Sequence, residues 1–243
     1  MKKMMFTVAL AILSMGATAQ NLPQSANDRI NMGYEPIKPF LKQVRRANNR
    51  AELLRLMYEL DNKGFHTALF GITPIPHPRK SSEVMMGVTH SGATLPQEYY
   101  AQPDEQQQVV DAIKNKNRDL LKLVGHSDLE AERLMQMEWA VEHEIGVKAL
   151  NQQERQNPQA RIHFMSWKEL QDTFMGIDWD GYRDAMSLPQ SIDTVNVAEL
   201  EPMHAVEDIL ANASINVLKA YMELRIIKTY FGNCSDAPTD SPA

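Results

Sequence analysis

The sequence predicts a mainly α-helical domain with long antiparallel helices and one or two short β-strand pairs. Three observations carry this. Apolar residues recur at helical spacing over most of the chain between residues 36 and 232. Two long periodic stretches, 103–124 and 128–150, are joined through Gly125 and Ser127, a connection short enough to demand an antiparallel return. Fifteen methionines against seven phenylalanines describe an adaptable helical core, and the few β-favouring runs are interrupted by prolines.

The N-terminus carries Lys2 and Lys3, an apolar run from Met4 to Leu13, and Ala17-Thr18-Ala19. This order of basic, apolar and small residues predicts a signal peptide over 1–19, cleaved after Ala19, and export to the periplasm or the medium. The apolar run is well short of the ~20 residues a bilayer span needs, and no later stretch qualifies, so no membrane span is expected after cleavage. Residues 20–35 are polar and are expected to be flexible, the domain proper occupies 36–232, and 233–243 form a polar, proline-containing tail expected to be disordered. Cys234 is the single cysteine, which excludes an intrachain disulfide and suggests an inert terminal thiol. Twenty-five basic against 31 acidic residues give a net charge of −6, without the basic footprint of a nucleic-acid or anionic-lipid binder.

Within the domain, Pro39 suits the first turn of a helix carrying Phe40, Leu41 and Val44, and Leu53, Leu54, Met57 and Leu60 define a second helix that Gly64 stops. Phe65 to Ile75 and Glu83 to Thr89 read as a strand pair, with Pro74 and Pro76 confining the first to an edge. Pro103 starts a long helix with Val109, Val110, Ile113, Leu120, Leu121 and Val124 on one side. Ser127 then caps another, with Glu130 placed to complete a capping box. Asn157-Pro158 breaks the pattern, Ser166 with Glu169 starts a short helix, and Asp178 starts the next. Thr194 to Val197 is a brief strand candidate, and helices over 202–211 and 214–231 close the domain.

One motif is incomplete. His143-Glu144-Ile145-Gly146-Val147 begins as the His-Glu-x-x-His of zinc proteases, in which two histidines one turn apart grip Zn²⁺ and the glutamate activates its water. Val147 stands where the second histidine belongs and cannot ligate. Glu138, Glu142, His143, Glu144 and Lys148 read instead as a solvated helix face opposite Met137, Val141 and Ile145. The remaining histidines show no ligand spacing and suit surface or capping roles. His90 and Ser91 lack the Gly-x-Ser-x-Gly elbow, so the stretch reads as a turn with Gly92 at positive φ. Trp139, Trp167 and Trp179 read as core anchors. Leu95, Tyr99 and Tyr100 are candidates to face a peptide, since aromatic rings give large contact area at low entropic cost, with packing of the turn onto the core as the competing reading.

Several segments in succession carry a resemblance: Ile37-Lys38-Pro39 with the next two helices, Leu69-Phe70-Gly71, Ser91 to Tyr100 with its Leu-Pro-Gln-Glu-Tyr-Tyr, Asn157-Pro158 to Ser166, and Phe174-Met175-Gly176-Ile177-Asp178-Trp179. Over about 30–232 the chain resembles the N-terminal domain of the neprilysin and endothelin-converting-enzyme family of zinc metalloendopeptidases, including its bacterial oligopeptidases. The resemblance implies a helical lid that, in complete members, closes over a cavity admitting small peptides. The family's Gly-Gly-Trp-ending opening stretch has no counterpart between Gln20 and Gly33, and its C-terminal domain, with the zinc ligands, none before Ala243. The expectation is thus a truncated or split metalloendopeptidase component, with no catalytic, cofactor or metal residue of its own and no activity alone. A separate zinc-bearing catalytic chain and peptides are the expected partners. The alternatives are an exported peptide- or protein-binding module and a degenerate remnant.

Overall fold

The computed structural model describes residues 29, 31–102 and 104–232. The expected signal peptide, Pro103, Cys234 and the tail lie outside the described residues. The chain runs through α1 (Lys38–Arg46), α2 (Arg50–Leu60), a π-helical turn (Asp61–Phe65), β1 (Phe70–His77), β2 (Lys80–His90), α3 (Glu98–Ala101), α4 (Gln107–Leu123) and α5 (Asp128–Gly146). It continues through α6 (Gln152–Arg155), a 3₁₀ turn (Pro158–Arg161), β3 (His163–Ser166), α7 (Trp167–Thr173), α8 (Trp179–Ala185), β4 (Thr194–Val197), α9 (Leu200–Asn212) and α10 (Ile215–Phe231). The mainly helical prediction is met. None of the described helices is long and apolar enough to cross a membrane.

The predicted helix pairs form for the predicted reasons. Asn49 caps α2 by accepting the Glu52 N–H, and Gly64 ends the following π turn at φ +85°, where a side chain would be strained. α4 and α5 are antiparallel, because Lys122 meets Asp128, Arg118 meets Glu132 and Asn117 meets Glu138, so positions diverge symmetrically from the turn. Ser127 caps α5 through the Glu130 N–H, but the expected capping box stays half made: the Glu130 carboxylate turns to Arg133 at 2.6 Å. Both halves of the box are present at Ser166 with Glu169, and at Asn151 with Glu154. α4 starts at Gln107 rather than at Pro103, and Val109, placed on its apolar side by the sequence, is exposed. Residues 31–35, expected to be flexible, lead into a turn in which Tyr34 C=O accepts the Ile37 and Lys38 N–H groups.

Four strands form one sheet in the order β1-β2-β4-β3. β1 pairs antiparallel with β2 from Phe70 opposite His90 to Pro76 opposite Val84, and lies at an edge, where Pro74 and Pro76 need no amide donor. β2 pairs parallel with β4, Val88 opposite Val197, and β3 adds antiparallel to β4. β3 was not foreseen, since four residues with no alternation give little strand signal.

α10 is the axis of the core. Leu218, Tyr221, Met222, Leu224, Ile226, Ile227 and Tyr230 are buried around its circumference, against α5, α4, α1 and α2. An aromatic cluster joins the sheet to the helices: Phe70 stands 4.6 Å from Tyr182 and 4.9 Å from Trp179, and Tyr58 5.2 Å from Tyr182, measured between ring centres.

Candidate functional site

The most polar place in the core lies where α5, α10 and the segment 91–100 meet. Glu138 and Glu142, one turn apart on α5, are both fully buried, which corrects their assignment to a solvated face. The reason is α10: Lys228 brings its ammonium to 2.6 Å from Glu138 and 2.9 Å from Glu142. Thr94 Oγ1 donates to Glu142 at 2.7 Å and the Tyr100 hydroxyl at 3.0 Å. That hydroxyl in turn accepts the N–H groups of Thr94 and Leu95 at 3.1 and 3.0 Å.

One cation therefore serves two carboxylates in a dry site. Burial first, and then repulsion from Glu142, push the Glu138 carboxyl up to about 8 from its ordinary 4.5. For Glu142 burial pushes the other way, but the Lys228 charge and hydrogen bonds from Glu138, Lys228 and Thr94 outweigh it and hold the carboxylate below its ordinary range. At neutral pH the cluster is a protonated Glu138 beside a Glu142–Lys228 ion pair. It fastens the 91–100 segment to two helices and offers no surface to a substrate.

The local chain is shaped for that fastening. Ser91 donates from Oγ to the Ala68 carbonyl and from N to the Leu69 carbonyl, both at 2.7 Å. Gly92 is not at positive φ as expected; it is a glycine because a Cβ would lie 2.3 Å from Ile145 Cδ1. Gly146 yields to the Tyr100 ring in the same way, with its hypothetical Cβ 2.2 Å from the ring. A second network, in which Arg45 and His126 converge on Glu223, ties α1 and the α4–α5 turn to α10, with His126 Nε2 2.6 Å from Glu223 Oε1. His126 is thus a core tether rather than a surface histidine.

Of the three candidate peptide-facing residues, Tyr100 is only 1% exposed, its hydroxyl committed to Glu142, so it belongs to the core. Leu95 and Tyr99 pack against the core but remain partly exposed. Beside them opens a groove of about 640 Å³ lined largely by carboxamides, among them Gln97, Gln102, Gln152 and Gln156. His143 and Glu144 point to solvent from α5. Zinc does not fit these residues: Val147 offers no donor a turn beyond His143, and the buried glutamate oxygens face Lys228, Thr94 and Tyr100. Among the described residues no three histidine, cysteine, aspartate or glutamate side chains gather as a metal site would need.

The N-terminal sequence model of peptidase family M13 matches residues 19–242. The chain belongs to peptidase family M13. No curated protein sequence matches this M13 chain. Among solved structures, its fold is similar to that of the Mycobacterium tuberculosis zinc metalloprotease Zmp1 in complex with inhibitor, at 17% identity and TM-score 0.73, over 92% of this chain and 34% of that one. The open state of the same protease gives 17% identity and TM-score 0.72, over 88% of this chain and 33% of that one. PepO from Lactobacillus rhamnosis gives 16% identity and TM-score 0.64, over 94% and 36%. The M13 chain spans about a third of the length of these proteins.

The sequence missed the buried Glu138–Lys228–Glu142 cluster, though α10 held a sign of it. Glu223 and Lys228 interrupt an otherwise apolar stripe, and a charge buried on a core helix requires a buried partner elsewhere.

Proposed function

We propose that these residues form the substrate-enclosing helical lid of an exported M13 metallopeptidase, closing over peptides held by a zinc-bearing catalytic part. The match of the N-terminal family model over nearly the whole chain carries this reading, together with a fold that covers one third of zinc metalloproteases. The composition of the site agrees with it. The buried charge clusters stiffen the fold rather than face a ligand. No hydrolytic step is assigned to this chain alone. The lid acts by geometry: a rigid helical shell excludes folded proteins and keeps a bound peptide in place.

The test is to assay a fluorogenic short peptide with the purified chain, with a zinc-bearing M13 catalytic domain, and with both. Cleavage that needs both components and zinc is the expected result. Zinc-dependent turnover by this chain alone would overturn the assignment.

A further inference from the structure

Thr94 is an exposed residue, yet its hydroxyl reaches the fully buried Glu142 carboxylate, so a single layer of chain separates solvent from the charges between α5 and α10. That layer is held from beneath. Apart from the local turn into α3, residues 93–97 are fastened among the described residues by Thr94 Oγ1 to Glu142, by the Thr94 and Leu95 N–H groups to the Tyr100 hydroxyl, and by a long bond of 3.4 Å from Gln97 Nε2 to the Val147 carbonyl. Three of these four end on Glu142 or on the hydroxyl that donates to it.

The charge under this loop balances only with a proton present. Lys228 is the one cation that bonds either carboxylate among the described residues. The other elements packed on α5 bring no second one. α4 sets the uncharged Asn117 at 3.5 Å from Glu138 and holds the Lys114 ammonium over the Trp139 ring. On α10, Glu223 is committed to Arg45 and His126, and the buried Tyr221 hydroxyl bonds neither carboxylate. α9 turns His204 and Glu207 toward each other, with Glu201 and Asp208 exposed, while Glu98 of α3 pairs with Arg155 and accepts the Gln152 N–H. His143, on the solvent side of α5, stands edge-on to the Tyr100 ring at 6.3 Å. One ammonium neutralises one carboxylate, and the other stays neutral only while protonated, in keeping with the high titration of Glu138. An unpaired carboxylate is not tolerated in a dry site, and water has its shortest way in through residues 93–97.

We propose that residues 93–97 form a pH-operated latch, closed while Glu138 holds its proton and lifting to admit water to the two carboxylates when that proton leaves, with the remainder of the domain still folded. The surface of Leu95 beside the carboxamide groove is therefore fixed at acidic and neutral pH and mobile at alkaline pH. The latch depends on contacts within this chain and not on the lid assignment.

In the lifted state Glu138 is hydrated and titrates as an ordinary carboxylate, so opening releases a proton and its equilibrium constant rises with pH. Hydrogen exchange at the Thr94 and Leu95 amides, followed by NMR from pH 6 to 8.5 and divided by the intrinsic exchange rate, measures that constant. The Leu224 and Ile226 amides of α10 report global unfolding. The opening constant at Thr94 and Leu95 exceeds that at Leu224 and Ile226, and it grows at least about 10-fold between pH 6 and pH 8. In Glu138→Gln this growth is absent. Thr94→Val, at an exposed position, raises the opening constant about 10-fold at pH 6 and leaves its pH dependence in place. Wild type and Thr94→Val carry the test alone if the core substitution prevents folding. Exchange at Thr94 and Leu95 no faster than at the α10 amides, an opening constant indifferent to pH or to Thr94→Val, or the same growth in Glu138→Gln overturns the latch.

Discussion

Replacing Glu138 by glutamine should change how the stability of the fold depends on pH. In the native protein this carboxyl titrates at about 8 instead of 4.5, because it is buried and stands beside Glu142. Between those values the unfolded chain has lost the proton and the folded chain keeps it. Folding then takes up a proton, and stability falls as pH rises, by about 1.4 kcal/mol per pH unit. From pH 5 to pH 8 the loss integrates to about 3.5 kcal/mol, since the folded group is half ionised at pH 8, and the side chain is fully buried. Glutamine copies the protonated state: its carbonyl accepts from Lys228 and its amide donates to Glu142.

The difference between the two proteins isolates this effect from other titrations. His90, whose ionisation is lowered by burial, adds stability as pH rises toward 6.5 in both, and Glu142 and Glu223, held low, act only below about 4.5. Urea unfolding at pH 5, 6, 7 and 8, extrapolated to water, measures the difference. The variant should match the wild type near pH 5 and exceed it by several kcal/mol at pH 8. Parallel stability curves would show that Glu138 is ionised in the fold and that this account of the cluster is wrong.

Removing the cation with Lys228→Met leaves the Glu142 carboxylate buried without its counter-charge and should cost about 3–5 kcal/mol, a fall of roughly 10–15 °C in Tm by calorimetry, with much of it restored by adding Glu142→Gln. Gly146→Ala drives a methyl group into the Tyr100 ring and should cost about 1–3 kcal/mol in urea unfolding, with a changed near-UV circular dichroism signal from Tyr100 and Trp139. Ser166→Ala removes one half of the α7 capping box and should cost about 1 kcal/mol, whereas Glu130→Ala at the half-made box of α5 should cost only a few tenths, both read by thermal melts.

Much of the helical architecture was legible because it follows from local chemistry. Periodicity located α2, α4, α5 and α10, prolines put β1 at an edge, and Ser127, Ser166 and Asp178 marked helix starts. What escaped depends on partners distant in the chain. β3 exists because β4 offers it a ladder, and Gly92 is small because Ile145, more than fifty positions later, presses on it. Glu138 and Glu142 look like ordinary surface residues until Lys228 is placed against them, and the Tyr100 ring reads as a contact surface until Gly146 is seen to receive it.

The position of α10 also bears on how the molecule is made. The helix that touches α1, α2, α4 and α5 is the one synthesised after all of them, and it carries both Glu223, which gathers Arg45 and His126, and Lys228, which neutralises the α5 carboxylates. Without α10 the core lacks its central helix, and Glu138 and Glu142 of α5 lack the cation that lies against them. Completion of this core thereby waits on α10, the last of the described helices in chain order.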